Sequence, residues 1–388
     1  MQISLYGGFG EKGRTCVGVE SGGYRVLLDA GVMTSARGYA SYHPAIGAEA
    51  LRAHDAIVLA HAHEDHVGAL GFCIANGFRG RIFMTPETAR ESRAILADYA
   101  EPSHAALGRA ATSEPLPLGD DALALGPFTL STGRSGHIAG GVWCALDDGR
   151  TRLVYCSDVA PASPVFAYDP IRRCDALIID ASYADDATSA VGRAADIATW
   201  IGARPQGCVL PTPLFGRSAE LLAIVPEPIA LAPGMRDALS EQLEAADWLI
   251  DGVAGRLRAK LARASDHDGK SALPRAALLC HDGMGMSGVS PAILALARAS
   301  AHPTLFTGHV PGRSPGEHMV RDGLAAWIRL PTHPTLPENV ALCAAAAPHL
   351  VLGHSCDAAS LARLARHIPT LRADAATGDT LSVGECAS

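Results

Sequence analysis

The chain reads His61-Ala62-His63-Glu64-Asp65-His66 directly after the apolar run Ala56-Ile57-Val58-Leu59-Ala60. A lone histidine is more often a satisfied polar residue than a ligand. Three imidazoles and a carboxylate so close together at the end of a buried strand have few structural uses. Imidazole and carboxylate together suit Zn²⁺ and similar divalent ions. In a loop that leaves a strand end, alternate side chains can face one metal ion, and the next two side chains can face a second ion. The spacing of these residues therefore predicts a metal site.

The HxHxDH spacing resembles that of the metallo-β-lactamase superfamily, and this resemblance implies three further ligands. His137 supplies a histidine on the glycine-rich loop Ser135-Gly136-His137-Ile138-Ala139-Gly140-Gly141. Asp158 supplies an aspartate after a strand, and His354 supplies a histidine after a late strand. The resemblance implies two zinc ions, with manganese as the alternative, bridged by Asp158. The remaining ligands are divided between them, as His61, His63 and His137 on the first ion and Asp65, His66 and His354 on the second.

The implied chemistry is hydrolysis by an activated water. Two ions about 3.5–4 Å apart share a water and lower its pKa, so that a hydroxide can attack at neutral pH. The resemblance also gives Asp65 the task of holding that hydroxide in line with the bond to be broken.

Glycine-rich and acidic motifs elsewhere in the chain resemble those of the β-CASP nucleases, which include RNA-processing enzymes of the RNase J and cleavage-and-polyadenylation type. The motifs lie, in chain order, at residues 7–14, 178–183, 211–222, 281–288 and 307–312. Single glycine loops are weak signals, but their order around a complete metal site is specific. Two departures are that His309 stands where tyrosine is usual, and Pro331-Thr332 precedes His333 where Ser-Ala is usual.

This resemblance implies a proton-donating pair and a phosphate site. By itself Asp180 is a carboxylate at the end of a strand, and His333 is a loop histidine between prolines. In the resemblance, Asp180 orients His333, which donates a proton to the leaving oxygen, an effect commonly worth about 10²–10⁴-fold. Arg217 and Ser218 follow Gly216 at a predicted helix start, where a guanidinium and the helix dipole would suit a substrate phosphate.

Composition limits the class of protein. The chain has 388 residues and a net charge of −8, which does not favour a broad basic face for nucleic acid. Only three lysines occur, so we expect arginine at any phosphate contact. Ten scattered cysteines without a CxxC pair are typical of reduced, buried thiols. The glycine-rich start lacks the pattern of a signal peptide, and no apolar run reaches the length of a membrane span. We therefore expect a cytoplasmic protein without membrane contacts.

Strand and helix patterns predict an α/β fold, a four-layer αβ/βα metallo-β-lactamase sandwich with an inserted α/β domain. The expected divisions are residues 1–189 and 329–388 for the sandwich and 190–328 for the insertion. Within the insertion, apolar residues at helical spacing predict a helix over residues 237–264.

The function that these motifs favour is a dinuclear metal-dependent phosphodiesterase acting on nucleic acid. RNA is favoured because the RNA-processing branch carries a histidine at the position of His354, and the products should bear a 5′-phosphate and a 3′-hydroxyl. The acidic balance and small insertion keep open a hydrolase of a small ester, thioester or cyclic phosphodiester. A non-catalytic scaffold is disfavoured because all seven metal ligands are present. A homodimer is compatible with either enzyme.

Overall fold

Two mixed β-sheets stack face to face in the computed structural model, which describes residues 1–36, 38–119 and 121–384. The first sheet has seven strands, ordered across the sheet as Thr380–Ser382, Gln2–Gly7, Cys16–Ser21, Tyr24–Leu28, Ala56–Val58, Arg81–Met84 and Glu114–Pro115. The second has six, ordered as Leu350–His354, Ala176–Asp180, Arg152–Tyr155, Val142–Asp147, Phe128–Arg134 and Ala122–Leu125.

Alternating side chains build the sandwich. On the strand Tyr24–Leu28, Val26 and Leu28 join the core shared with the second sheet, whereas Leu27 joins the apolar cluster beneath the helices. The central strands of the second sheet divide their side chains in the same way. Because successive side chains of a strand point to opposite faces, both sheets bury two apolar faces, and helices cover the outer ones. The predicted fold class is confirmed.

Helices lie on both outer faces and throughout the region between the sandwich segments. The helices before residue 190 are Tyr39–Tyr42, Ala48–Ala53, Glu64–Val67, Leu70–Ala75, Pro86–Tyr99 and Pro102–Ala110. Those in the middle region are Ala190–Gly202, Arg217–Ile224, Met235–Glu244, Val253–Arg263, Ser290–Ala299 and Pro315–Arg321, with the 3₁₀ turn Ala246–Trp248. The last two are Leu336–Ala346 and Ala358–Leu364.

A third, parallel sheet belongs to the middle region. Its strands are ordered Cys208–Pro211, Ala277–Cys280, Ile229–Leu231 and Ser265–Asp266. The short parallel pair Leu305–Phe306 and Ala326–Trp327 adjoins its edge through a single bridge between Val209 and Thr304. Strands alternating with helices are typical of such parallel sheets. The boundaries 1–189, 190–328 and 329–388 remain our proposal.

The chain returns to both sandwich sheets after the middle region. Leu350–His354 pairs in parallel with Ala176–Asp180, and Thr380–Ser382 pairs antiparallel with Gln2–Gly7. The short strands Phe9–Gly10 and Cys356–Asp357 also pair in parallel. Both ends of the described chain are thereby joined to one sandwich.

The predicted helix over residues 237–264 was wrong at its centre, where the chain makes two helices. The first ends at Glu244 and the second begins at Val253, with Gly252 between them in the left-handed region at φ 74°. Trp248, Leu249 and Val253 are all buried, so the apolar spacing continues through a break that periodicity alone does not reveal.

Two sequence-based expectations concern the chain as a whole. All nine cysteines that the structure describes are buried and free of disulfide bonds. Among the described residues, no helix is both long and apolar enough to cross a bilayer.

Candidate metal centre

Three imidazoles converge on one carboxylate at strand ends of the two sandwich sheets. His61 Nε2 lies 3.2 Å from His63 Nδ1, which lies 3.1 Å from His137 Nε2. Asp158 Oδ2 is 3.7 Å from the Nε2 atoms of both His61 and His137. A tetrahedral ion with bonds of about 2.0–2.1 Å separates its ligands by about 3.3 Å. These four atoms are therefore spaced like the ligands of one ion.

Asp65 and His66 form a second group around the other oxygen of the same carboxylate. His66 Nε2 is 3.2 Å from Asp158 Oδ1 and 3.8 Å from Asp65 Oδ2. In the described part of the chain, neither His66 Nε2 nor Asp158 Oδ1 makes a well-formed hydrogen bond. Asp158 belongs to both groups, so two ion sites can lie side by side.

Burial prepares the first group for a cation. It lowers the pKa of His63 to about 4 and holds the pKa values of His61 and His137 well below the ordinary range. Burial alone would raise the pKa of Asp158, but the neighbouring imidazoles, His66 first, hold it well below its ordinary range. Metal binding requires neutral imidazoles and ionised carboxylates. The first group meets that requirement and fits a divalent ion. Burial opposes protonation of His66 as well, but the carboxylates around it, Asp158 first, raise its pKa well above the ordinary value, so an ion bound there would displace a proton.

The rings are oriented from behind by acceptors that the sequence analysis did not single out. Asp29 Oδ2 accepts hydrogen bonds from His66 Nδ1 at 2.7 Å and from the Tyr155 hydroxyl at 2.5 Å. The Thr332 carbonyl accepts from His137 Nδ1 at 2.6 Å. A proton fixed on Nδ1 leaves Nε2 free for an ion. The available signal for Asp29 was a carboxylate directly after an apolar strand.

Asp180 and His333 meet beside the ligand groups. Asp180 Oδ2 accepts from His333 Nδ1 at 2.8 Å, and the same nitrogen lies 3.6 Å from Asp158 Oδ2. Although burial opposes protonation, the carboxylates of Asp180 and Asp158 raise the pKa of His333 to about 9. The Tyr183 hydroxyl accepts from the Thr332 amide at 3.2 Å and so fixes the loop before His333. Both carboxylates therefore stabilise the protonated form of His333.

His354 lies behind the second group and does not join it. Its Nε2 is 3.0 Å from the Ser157 carbonyl and its Nδ1 is 3.0 Å from the Ser355 hydroxyl. Its ring centroid is 6.0 Å from that of His66. Both ring nitrogens thus face protein partners, and the role of His354 as a ligand of the second ion stays a prediction that requires the ring to turn.

The two residues predicted to bind substrate differ sharply in position. Arg217 lines the cavity above the ligand groups, and its Nη2 donates to the Thr332 hydroxyl at 2.9 Å. A side chain at Gly308 would meet Arg217 Nη1 at 2.2 Å, so a larger residue there would displace the guanidinium. Ser218 is fully buried, and its hydroxyl donates to the Leu214 carbonyl at 2.6 Å. This geometry argues against substrate contact by Ser218, because the helix start turns its side chain back into the protein.

Positive groups crowd the approach to the ligands. Lys12, Arg217 and His333, together with the neutral imidazole of His309, line both the cavity above the ligand groups and an adjoining cleft of about 470 Å³. Burial and then the charges of nearby cations, Lys12 first, lower the pKa of His309 to about 3. Within the described residues, neither Lys12 nor Arg217 has a carboxylate at ion-pair distance. Their charges are therefore available to an anionic substrate.

Comparison with known proteins agrees with this geometry. Residues 24–208 match the family model of the beta-lactamase superfamily domain. A ribonuclease of Thermus thermophilus is 33% identical over 178 residues, covering 42% of this chain and 40% of the relative. Transcription termination factor FttA of Cenarchaeum symbiosum is 26% identical over 251 residues, covering 58% of this chain and 39% of the relative. Cleavage and polyadenylation specificity factor 73 of Drosophila melanogaster is 25% identical over 248 residues, covering 58% and 36%.

Residues 24–208 form a domain of the metallo-β-lactamase superfamily. Within that superfamily the chain resembles relatives of the β-CASP type. It spans about two fifths of the length of these curated relatives, 36% to 40%. A solved structure from Enterococcus faecalis superposes with a TM-score of 0.62 at 12% identity, covering 98% of this chain and 99% of that one. This last likeness concerns the fold alone.

Proposed function

We propose that this protein is a dinuclear metal-dependent phosphodiesterase that cleaves nucleic acid, with RNA preferred over DNA. The observation that carries the proposal is the pair of ligand groups that share Asp158, with one ligand oxygen 3.6 Å from His333. Zinc or manganese ions bound there would polarise a phosphoryl oxygen and lower the pKa of a water at neutral pH.

The residues around the ligands have distinct tasks in this proposal. Asp65 is partly exposed in the cavity. It accepts a proton from the attacking water and holds the resulting hydroxide in line with the bond to be broken. His333 keeps a proton at neutral pH because of its carboxylate neighbours, and donates it to the leaving oxygen. Asp180 fixes the ring of His333 through the hydrogen bond to Nδ1. Proton donation in the transition state commonly accelerates such reactions by about 10²–10⁴-fold.

A polyanionic substrate fits the cations of the cavity and the adjoining cleft. Arg217 and Lys12 stand where the two spaces meet, and Arg329 and Arg363 line the cleft beyond them. Arg217 is the best phosphate contact because its planar fork can hold two phosphate oxygens. RNA is preferred because relatives are named as a ribonuclease and a cleavage and polyadenylation factor.

The alternative is a hydrolase of a small ester, thioester or cyclic phosphodiester. It is favoured by the net charge of −8 and by carboxylates on the same cleft, where Arg363 pairs with Asp185 at 3.0 Å and Arg329 lies 3.7 Å from Asp186. Such pairing reduces the charge that a long polyanion would meet.

The two functions separate in one experiment. The protein, supplied with Zn²⁺ or Mn²⁺, is tested on end-labelled single-stranded RNA, the matching DNA and a panel of chromogenic esters and thioesters. We expect RNA fragments with 5′-phosphate ends, cleavage of DNA at a lower rate, and no product from Asp158→Ala. Rapid ester hydrolysis with both oligonucleotides intact would instead establish the alternative.

A further inference from the structure

A second group of potential ligands lies away from the metal centre, where the helix Tyr39–Tyr42 meets the helix Pro102–Ala110. His43 follows the first helix, Glu101 precedes the second, and His104 lies in its first turn. One ligand atom from each of the three residues lies within 4.8 Å of the other two. The three come from two separate segments, so the fold and not local sequence brings them together.

The two imidazoles are buried without protein partners on one nitrogen each. His43 is 2% exposed and His104 is 8% exposed. In the part of the chain that the structure describes, neither Nδ1 atom makes a well-formed hydrogen bond, although the Tyr39 backbone lies near the ring of His43. A buried polar atom that is left without a hydrogen bond destabilises the folded state. Two such nitrogen atoms in one small region indicate that a ligand binds to them.

The surroundings hold the rings in place and keep a lone pair available. His43 stacks on Phe72 with ring centroids 4.3 Å apart and planes 12° apart, and Phe72 also contacts the ring of His104 edge-on at 5.8 Å. Burial lowers the pKa of His43, so its ring is neutral at pH 7. The Glu101 side chain is 35% exposed and leaves a way in for an ion.

We propose that His43, Glu101 and His104 bind one zinc ion outside the catalytic centre. Two imidazoles and a carboxylate are a donor set that zinc accepts, with water in the fourth position. Glu101 Oε2 lies 3.8 Å from His104 Nδ1. This separation is too long for a hydrogen bond, and ligands of a tetrahedral zinc ion lie about 3.3 Å apart. A small side-chain rotation brings both atoms to bonding distance.

The ion would fasten the segment around His43 to the helix Pro102–Ala110. Arg14 Nη1 donates to the His43 carbonyl at 2.9 Å, so the same link reaches the glycine-rich opening of the chain. Aromatic packing without an ion is the competing explanation. It accounts for the stacked rings but leaves both Nδ1 atoms unsatisfied.

The test is the zinc content of folded variants, measured by elemental analysis after dialysis. His104→Gln and Glu101→Gln should each contain one ion fewer than the wild type, and Asp158→Ala should retain this ion. His54→Gln is the matched control, because His54 is also a buried histidine, 5% exposed, but lies outside both ligand sets. Glu101 is partly exposed, so its substitution keeps the proposal testable if His104→Gln fails to fold.

A crystal measured at the zinc edge should show an anomalous peak between His43 and His104. Chelation should lower the Tm of the wild type by more than that of His104→Gln, because the variant already lacks this ion. Equal zinc content in the wild type and Glu101→Gln, with no peak at this position, would overturn the proposal. Neither outcome depends on whether the protein cleaves nucleic acid.

Discussion

Asp29 illustrates how a residue that touches no substrate can control the site. Its carboxylate is fully buried and gathers hydrogen bonds from His66, Tyr155 and the Ala60 amide. The candidate ligands could be picked out of the sequence because the HxHxDH spacing is rare outside metal sites. Asp29 was not, because a lone carboxylate after a strand is common and its partners come from distant segments.

We expect Asp29→Asn to weaken the binding of the ion held by His66 by about 10–100-fold, since loss of an orienting partner typically has this effect. The side-chain amide of the variant can still accept a hydrogen bond from one donor. It lacks the negative charge that holds the proton on His66 Nδ1. Competition with a chelator measures the affinity. Asp55→Asn is a suitable control. Asp55 also accepts a hydrogen bond from a backbone amide, that of Arg25 at 2.8 Å, but it contacts none of the candidate metal ligands. Equal losses in both variants would make the effect structural.

His333 offers a test of proton donation. His333→Ala should leave both catalytic ions bound and should lower kcat on RNA by about 10²–10⁴-fold. The loss should be smaller on a p-nitrophenyl phosphodiester, because that leaving group departs as an anion and needs no proton. Equal loss on both substrates, or loss of an ion, would contradict the assignment.

The pH profile should report the same proton. His333 acts in its protonated form, so kcat should fall as pH rises through about 9, the value to which Asp180 and Asp158 raise its pKa. Asp180→Asn removes the larger of these effects and should move the alkaline limb to lower pH. A limb unchanged in Asp180→Asn would show that another group controls it.

At the scale of secondary-structure elements, the helix Arg217–Ile224 carries a buried glutamate. Glu220 is buried on this helix, and its Oε1 accepts from the Ser163 hydroxyl at 2.6 Å. Burial raises the pKa of Glu220 to about 7. The start of this helix was predicted from Gly216 and Arg217, but the sequence does not reveal which face is buried. The break before Val253 escaped prediction for a similar reason, since burial on both sides of it preserves helical spacing.

Glu220 should make stability depend on pH. Because its pKa is raised on folding, its favourable contribution is complete below about pH 4.5 and is lost as pH rises through 7. Glu220→Gln is neutral at every pH, so its free energy of unfolding should improve relative to the wild type by up to about 3 kcal/mol between acid and alkaline pH. Urea unfolding at several pH values measures this, with the exposed Glu244→Gln as control. A difference that does not vary with pH would contradict the titration.

At the scale of the whole molecule, the sandwich depends on strands far apart in the chain. Gln2 pairs with Ser382, and Asp180 pairs with His354, which lies beyond the middle region of the chain. The class of fold was predictable because its motifs lie in a characteristic order. These pairings were not predictable from local patterns, because register between distant strands is set by packing of both faces.

The thiols bear on how this fold is held together. All nine described cysteines are buried and unpaired, so reducing agent should leave the Tm unchanged. A fall in Tm on reduction, measured by calorimetry, would indicate a stabilising disulfide and contradict the expectation of reduced thiols.

The central claim is that Asp158 joins two catalytic ions, and the most direct test counts the ions that depend on it. Elemental analysis of folded Asp158→Ala should show two divalent ions fewer than the wild type, because the same carboxylate belongs to both ligand groups. RNA cleavage should disappear with them. A folded Asp158→Ala protein that keeps its full metal content and still cleaves RNA would contradict the account.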